Sequence, residues 1–447
     1  ISAPLTIPYA EGARCMFIAG ILLGLCALIL MGTPIAVALG VVAIGTMWIA
    51  VGPELLTIFI QRLYAGTTSF PLLAIPFFVL AGNLMNTGGM TNRIFKVAQL
   101  IVGRIRGGLG HVNVLASMLF SGMSGSAVAD AAGLGVVEIK AMKEAGYSAR
   151  FSATVTAVSS TIGPIIPPSI PFVIYGSLAN VSVGALFLAG IVPGLLMGLG
   201  LMLVVALVAK RQSLPMGDPR PPFPDAMKII GTAAPALALP PLVLGGIFLG
   251  IVTPTEAAVV AAGYAFLLGR FWYRELSLRD LPDILWESGR QTAQVMFIIA
   301  AAAPFGWVLI QQQIPNALLN ALLSVSSEPW VILLIINAAL LLLGMFIEGI
   351  AILIIAFPVL LPIIMKIGVD PVHFGVIIVL NLMIGLVTPP VGLCLYVVSS
   401  ISQVSLAEIS AELWPYLLAL VAVLLLITFV PELSLWLPHV LGYGVIQ

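Results

Sequence analysis

The sequence predicts an all-α polytopic membrane protein built as two inverted repeats, each holding a re-entrant helical hairpin and a discontinuous helix. Three observations lead there. First, 61% of the 447 residues are hydrophobic, only 8% are charged, and the mean hydropathy is +1.17. A soluble chain carries roughly a quarter charged residues, so most of this surface faces a lipid bilayer. Second, apolar stretches near the roughly 20 residues a membrane helix needs recur along the chain, without the alternation of barrel strands. Third, sliding the chain against itself by 222 positions aligns two sets of helix-breaking residues.

Taken in order, spans are expected over 16–32, 34–51, 69–87, 151–178, 182–209, 229–250, 255–272, 291–310, 373–400 and 411–430. Arg14 precedes the first apolar run as in a signal peptide, but spans follow at once, so the run reads as a first helix. Residues 1–15 read as an N-terminal extension or the tail of a fused upstream segment. Segments 112–138 and 331–364 differ from the spans. Each is interrupted near its middle, by SGMSGSAVAD at 121–130 and by GMFIEG at 344–349. Neither half of either segment can cross a bilayer, and both read as re-entrant hairpins. The shorter, basic segments 91–106 and 277–290 read as interfacial helices. The Pro-rich stretch 213–225 is too broken for a helix; the linker around it, 213–228, separates an N-terminal half, 16–212, from a C-terminal half, 229–447.

Fifteen of the eighteen Lys and Arg fall in three clusters: Arg93 to Arg150, Lys210 to Lys228, and Arg270 to Arg290. Cytoplasmic loops are the basic ones, which places all three inside and both chain ends outside. The first hairpin then enters from the cytoplasm and the second, beside Glu328, Lys366 and Asp370, from the far face.

The 222-residue displacement sets Gly122-Met123 on Gly344-Met345, Gly146 on Gly368, Ile162-Gly163 on Ile384-Gly385, Pro167-Pro168 on Pro389-Pro390, Ser177 on Ser399 and Pro193 on Pro415. Apolar matches mean little here, but Gly and Pro stop helices at defined points. Irregular backbone at membrane depth is tolerated only where protein buries it or it lines a cavity. Four breaks are therefore expected to converge: 121–130, 161–169, 344–349 and 386–392.

Half-helix ends leave carbonyls and amides unpaired, which suit cations and anions respectively. Ser121, Ser124, Ser126, Thr161 and Ser169 gather at the first two breaks and Thr388 at the fourth. Hydroxyl and carbonyl oxygens with at most one carboxylate suit Na⁺ and give no transition-metal set. Asp130 and Glu348 read either as cation ligands or as helix caps, and either role must offset the cost of a charge at membrane depth. Glu256 in TPTEAA reads as a cap, Asn83 and Asn381 as interhelical hydrogen bonders. Ser159 and Ser160 either face the site or bond back to their own helix, and His111 reads as interfacial. Cys15, Cys26 and Cys394 have no metal or redox spacing. There is no GxxxxGK[ST] loop for ATP, and the serines lack a His/Asp partner, so no enzyme is expected. Zero net charge argues against a nucleic-acid partner.

At IPFFVLAGNLMNTGGM (75–90), SGSAVADAAGLG (124–135), IGPIIPPSIPFVIYG (162–176), LFLAGIVPG (186–194), GIVTPTEAA (250–258) and GLVTPPVGLCLYV (385–397) the chain resembles the large membrane subunit of the tripartite ATP-independent periplasmic (TRAP) transporters. The resemblance runs from Met16 onward. It implies an elevator-type ion-transporter fold in the bacterial inner membrane and secondary uptake driven by Na⁺ as coupling ion. The cargo would be an organic anion such as a C4-dicarboxylate, a sialic acid or another sugar acid, delivered by a periplasmic substrate-binding protein. The resemblance also implies a small four-helix membrane subunit as partner, whose tail residues 1–15 could be. Family sodium sites carry over onto Ser121, Ser124, Ser126 and Asp130, onto Gly163 in the 161–168 break, and onto Gly344, Glu348 and Thr388. Substrate contacts are expected at Ser160, Thr161, Pro167, Pro168, Pro389 and Pro390. The competing reading is a stand-alone Na⁺ or H⁺/dicarboxylate symporter of the same superfamily.

Overall fold

The computed structural model describes residues 20–21, 23–29, 31–51, 56–217 and 221–443, with backbone alone at 50, 51, 56, 123 and 124. All of residues 1–15 and the start of the 16–32 span lie outside this range, and residues 20–21 and 23–29 of that span are helical. Among the described residues the chain is helical, with one isolated β-bridge between Arg106 and Met216 and no strand. Among the described residues six helices are long and apolar enough to cross a membrane: Phe70–Thr87, Val183–Arg211, Phe223–Phe248, Leu281–Gln311, Gly349–Lys366 and Leu406–Phe429. Gly349–Lys366 is the second arm of the second interrupted segment, so the expectation that neither arm could cross is corrected for it.

The duplication is visible in how the helices start and stop. Ser126 and Glu348, 222 residues apart, are both N-caps: Ser126 Oγ accepts from Ala129 N at 3.4 Å, and the Glu348 carboxylate accepts from Ala351 N at 2.9 Å. The helices they start, Ala127–Glu144 and Gly349–Lys366, each have 18 residues. Left-handed Gly146 and Gly368 follow them, as is common past a helix C-terminus. Ser148 and Asp370 then cap Ala149–Ser160 and Pro371–Gly385. The matched Pro-Pro bonds, Pro167-Pro168 and Pro389-Pro390, are both cis.

Packing between the halves is reciprocal. Helix Ala127–Glu144 lies against Leu393–Ser402, while its counterpart Gly349–Lys366 lies against Ile170–Ala179. Likewise Ala149–Ser160 packs on Leu406–Phe429, and Pro371–Gly385 on Val183–Arg211. Contacts that exchange partners in this way are the mark of a two-fold relation. Tyr175 pins one crossing: its hydroxyl donates to Pro371 O at 2.6 Å, and its ring meets Phe357 edge-on at 5.7 Å. Around this centre, Ala74–Thr87 packs between Pro254–Leu267 and Leu281–Gln311. Asn83 Nδ2 donates to Ser288 Oγ at 2.9 Å across that contact, the interhelical role expected of it. Asn381 does the same, donating to Asn337 O and Oδ1 at 2.9 and 3.0 Å. Thr253 and Glu256 form a reciprocal capping box.

Several expectations need correction. Segment 277–290 is not a separate interfacial helix. Leu281–Gln311 runs unbroken, because Glu287 and Arg290 pair one turn apart at 2.7 Å and keep the polar stretch helical. The stretch 213–228 is helical from Phe223, with Pro224 in the first turn where the missing N–H costs nothing. The interrupted segments reach beyond 112–138 and 331–364, with arms Gly108–Ser124 and Ala127–Glu144 in the first and Pro329–Gly344 and Gly349–Lys366 in the second. Helices Leu56–Thr67, Ile314–Val325 and Glu432–Val440 were not anticipated. Ile314–Val325 meets Pro329–Gly344 at a bend of 117°. His111 is buried, with Nδ1 3.1 Å from Gly107 O, rather than interfacial.

Two breaks approach backbone to backbone at Gly344 and Gly385, where a Cβ on Gly385 would stand 2.7 Å from Gly344 Cα. No side chain can yield there, since both sides are backbone. Gly385→Ala is expected to cost about 1–3 kcal/mol and to lower the melting temperature in detergent. Gly231→Ala, which meets nothing within 4 Å, should not, and equal melting temperatures for the two variants would refute this account of the contact.

Candidate functional site

The first arm of the first interrupted segment ends at Ser124 because Gly125 turns left-handed, with φ +60°. A side chain there would be strained, and its Cβ would stand 2.7 Å from Pro168 O. Gly163, in the neighbouring break, lies against the Ser126 backbone. Between helices Ala149–Ser160 and Ile170–Ala179 the chain turns tightly, with Ile162 N bonding Ser159 O and Ile165 N bonding Ile162 O. Ser169 Oγ donates to Pro164 O at 2.5 Å and accepts from Phe172 N at 3.2 Å, closing the break and starting the next helix. The two breaks of the first half are thus packed on each other.

The second half repeats the arrangement. Gly344 and Gly385 touch, and Val391 N bonds Met345 O at 3.3 Å. Thr388 Oγ1 donates back to Ile384 O at 2.7 Å. The halves differ in exposure. Thr161, Gly163, Pro167, Pro168 and Ser169 are buried, whereas Pro390 and Phe346 are exposed and Pro389 and Glu348 half-buried.

All four breaks meet near Cys394. This side chain is fully buried in the first turn of Leu393–Ser402. Ser160 is within its hydrogen-bonding reach, and both Asp130 and Glu348 are within its electrostatic reach. Convergence across the halves therefore brings Ser126, Asp130, Ser160, Gly163, Glu348 and Thr388 into one region. The cysteine at its centre had read as one small hydrophobe among others.

Individual side chains sort as follows. The Ser121 hydroxyl donates to Ser117 O at 2.5 Å, and the side chain of Ser124 lies outside the described residues. Ser160 and Thr161 donate to Ala157 O at 2.8 Å and Val158 O at 2.6 Å, so both bond back to their own helix and keep oxygen lone pairs for a ligand. Ser159 also bonds back, to Thr156 O at 3.1 Å, and reaches Asn113 Oδ1 at 2.6 Å. Glu348 is a cap, and the cap at the equivalent first-half position is Ser126, not Asp130. Asp130 is buried with Ser117 in reach, and its Oδ2 has no hydrogen-bond partner. A second buried carboxylate, Glu138, was missed; its Oε1 is also unpartnered. Its helical spacing from Asp130, Ala131, Leu134 and Met142, all buried, is the signal that could have found it.

No Lys or Arg offsets these charges. The three salt bridges among the described residues, Arg93–Glu275, Arg150–Glu408 and Arg290–Glu287, all lie elsewhere. No group of three or more His, Cys, Asp or Glu among those residues could hold a metal ion. What remains is a set of hydroxyl, carbonyl and carboxylate oxygens with spare acceptor capacity, which suits a weakly held monovalent cation.

Ser160→Cys offers a test of the convergence. Under mild oxidation it is expected to form a disulfide with Cys394, read as a cross-linked peptide by mass spectrometry. A Cys at Gly231 should remain free, and a failure of the 160–394 pair to cross-link would separate the two halves of the site.

Residues 22–433 match the family described as the tripartite ATP-independent periplasmic transporter, DctM component. A sialic acid TRAP transporter large permease protein of Vibrio cholerae is 46% identical over 385 residues, covering 86% of this chain and 90% of that protein. A C4-dicarboxylate TRAP transporter large permease protein of Pseudomonas aeruginosa is 43% identical over 381 residues, covering 85% and 89%. Among solved structures, the YdaH transporter of Alcanivorax borkumensis overlays with a TM-score of 0.64 at 15% identity, over 97% of this chain and 99% of that one. At that identity the likeness is one of fold.

Proposed function

This chain belongs to the DctM component family of the tripartite ATP-independent periplasmic transporters, and we propose that it is the translocating subunit of a Na⁺-driven importer of organic acids. Its relatives are permeases, not enzymes. The observation that carries the reading is the meeting of four backbone breaks, two from each half, around buried carboxylates that no basic residue neutralises. A carboxylate at membrane depth costs several kcal/mol unless a cation or proton accompanies it. Asp130 and Glu348 therefore hold a cation when ionised, and Ser121, Ser126, Thr388 and the carbonyls beside Gly163 and Gly344 supply further oxygens.

In this reading the two interrupted segments are re-entrant hairpins entering from opposite faces. The hairpins and broken helices move together, as an elevator, against a frame that includes Ala74–Thr87, Pro254–Leu267 and Leu281–Gln311. The sealed first-half breaks and open second-half breaks support access from one side at a time. Substrate would lie between Ser160, Thr161, Pro167 and Pro168 on one side and Pro389 and Pro390 on the other. The two relatives above are named for sialic acid and C4-dicarboxylate, and both ligands carry carboxylates. With no basic side chain at the breaks, bound Na⁺ and helix N-termini would supply the positive potential an anion needs. A periplasmic binding protein would deliver the anion, and a small membrane subunit would complete the complex in the inner membrane. The basic clusters orient the chain with both termini in the periplasm.

Reconstituted with its partner subunits, the protein is expected to take up an organic acid only with a Na⁺ gradient and the binding protein present. Asp130→Ala and Glu348→Ala should raise the Na⁺ concentration for half-activation about tenfold, equivalent to about 1.4 kcal/mol. Equal uptake without binding protein would favour a stand-alone symporter, and unchanged Na⁺ activation in both variants would remove these residues from the site. Orientation is checked separately: a Cys at Ser327 should react with an impermeant thiol reagent from the periplasmic side and one at Arg106 only from the cytoplasmic side, and the opposite pattern would invert the topology.

A further inference from the structure

Glu138 is not used by the site just described. It lies on helix Ala127–Glu144, eight residues beyond Asp130, or about 12 Å along the axis. It is fully buried, and Oε1 has no hydrogen-bond partner. One turn to either side of it are Gly135, where a Cβ would stand 2.8 Å from Thr156 Cγ2, and Met142, whose sulfur is 3.8 Å from Asn113 Nδ2. Helical register thus puts Glu138 on the face turned to Asn113 and Thr156. Those two are hydrogen-bonded at 2.7 Å; Asn113 Oδ1 accepts from Ser159 at 2.6 Å, and Ser117 donates to Ser159 at 3.2 Å. Ser117 in turn is within reach of Asp130. A run of hydrogen-bonded polar side chains therefore leads from beside Asp130 to Asn113 and Thr156, on the face that Glu138 shares, between the first interrupted segment and helix Ala149–Ser160.

The second half serves as an internal control. The positions equivalent to Asn113, Ser117, Glu138 and Thr156 are Ile335, Ala339, Leu360 and Ile378. Those four positions carry hydrocarbon, and the polar contact between the corresponding helices is the Asn337–Asn381 pair, with no carboxyl, so the fold does not require a carboxyl at the place of Glu138. A buried carboxyl that packing does not require, with an oxygen left open, has a ligand.

We propose that Glu138, with Asn113 and Thr156 beside it, is a second cation station on the exit route from Asp130 toward the basic, cytoplasmic end of the helix, and that it takes a monovalent cation, H⁺ or Na⁺. The assignment of direction rests on the proposed transport reading. Arriving H⁺ converts the carboxylate to the neutral acid; arriving Na⁺ is held by the carboxylate with the Asn113 and Thr156 oxygens. The titratable groups on helices packed around Ala127–Glu144 are Arg93, Lys96, His111, Arg150, Cys394 and Tyr396. Of these and its own helix's charges, Asp130 alone is in electrostatic reach of Glu138. A cation at one station therefore lowers the cost of ionising the other.

The test uses the purified full-length chain in nanodiscs, with ²²Na⁺ binding and proton release on a jump from about pH 6 to about pH 8 as readouts. Glu138→Gln and Glu138→Leu are compared with wild type, the second carrying the residue the other half tolerates at the equivalent place. If the station takes H⁺, both variants release about one proton fewer and bind ²²Na⁺ as wild type does. If it takes Na⁺, both bind ²²Na⁺ about tenfold more weakly, and Glu138→Asp restores part of the affinity. Wild-type values for both readouts in both variants would overturn the proposal. Failure of the Na⁺-driven reading itself would show differently, as absence of saturable ²²Na⁺ binding in wild type or its persistence with wild-type affinity and stoichiometry in Asp130→Ala.

Discussion

Inside a bilayer no water is available to satisfy a carbonyl or amide that has left its helix. Every other feature of this molecule follows from meeting that constraint four times. The chain breaks at 125–126, 161–169, 345–348 and 386–392, and each break packs against another break, with helix Val183–Arg211 also covering 161–169 through Gly190 and Gly194. Gly125 sits against Pro168, Gly163 against Ser126, Gly344 against Gly385, and Met345 O receives Val391 N. Close backbone approach needs residues without side chains or with fixed turns, which is why Gly and Pro stand at these points. A lone break would leave orphaned polar groups worth several kcal/mol each, so the breaks are stable only as pairs.

Pairing also explains why the site is built by both halves. Each half supplies two breaks, and the second arm of each interrupted segment rests on the distal helix of the other half's broken span. Cys394 lies where these exchanges cross. The carboxylates Asp130 and Glu348 are brought near one centre by this exchange and not by proximity in sequence. In the proposed reading their uncompensated charge would attract a small cation, and the spare carbonyl and hydroxyl oxygens would favour a hard one.

Much of this was legible in the sequence, for reasons tied to residue type. Gly, Pro and Ser announce where a helix must stop, so the breaks at 121–130 and 386–392 could be placed without coordinates, and the cap at Thr253–Glu256 reads directly from its spacing. What could not be read depends on tertiary neighbours. In GVVEIKAMKE, Glu138 sits among Lys140, Lys143 and Glu144 and looks like part of a solvated face; its spacing from Ala131, Leu134 and Met142 is the one hint in the sequence, and the tertiary packing shows that it is buried. Cys394 acquires its place from contacts 234 residues or more away in Ser160 and Asp130. The boundary at 290 was misplaced because polarity changes there while helix propensity does not, and backbone follows propensity.

The N-cap shared by Ser126 and Glu348 carries one more consequence. The repeat places a neutral hydroxyl at that position in one half and a carboxylate in the other, while one turn further on the order is reversed, Asp130 against Ile352. Each half thus brings a single negative charge to the centre, at a different depth. A frame that is nearly symmetric in shape is polarised in charge. Two halves alike in charge would give the centre a two-fold symmetric potential. Displacing one carboxylate by a turn removes that symmetry and leaves the centre with an electrical polarity that the repeated backbone lacks.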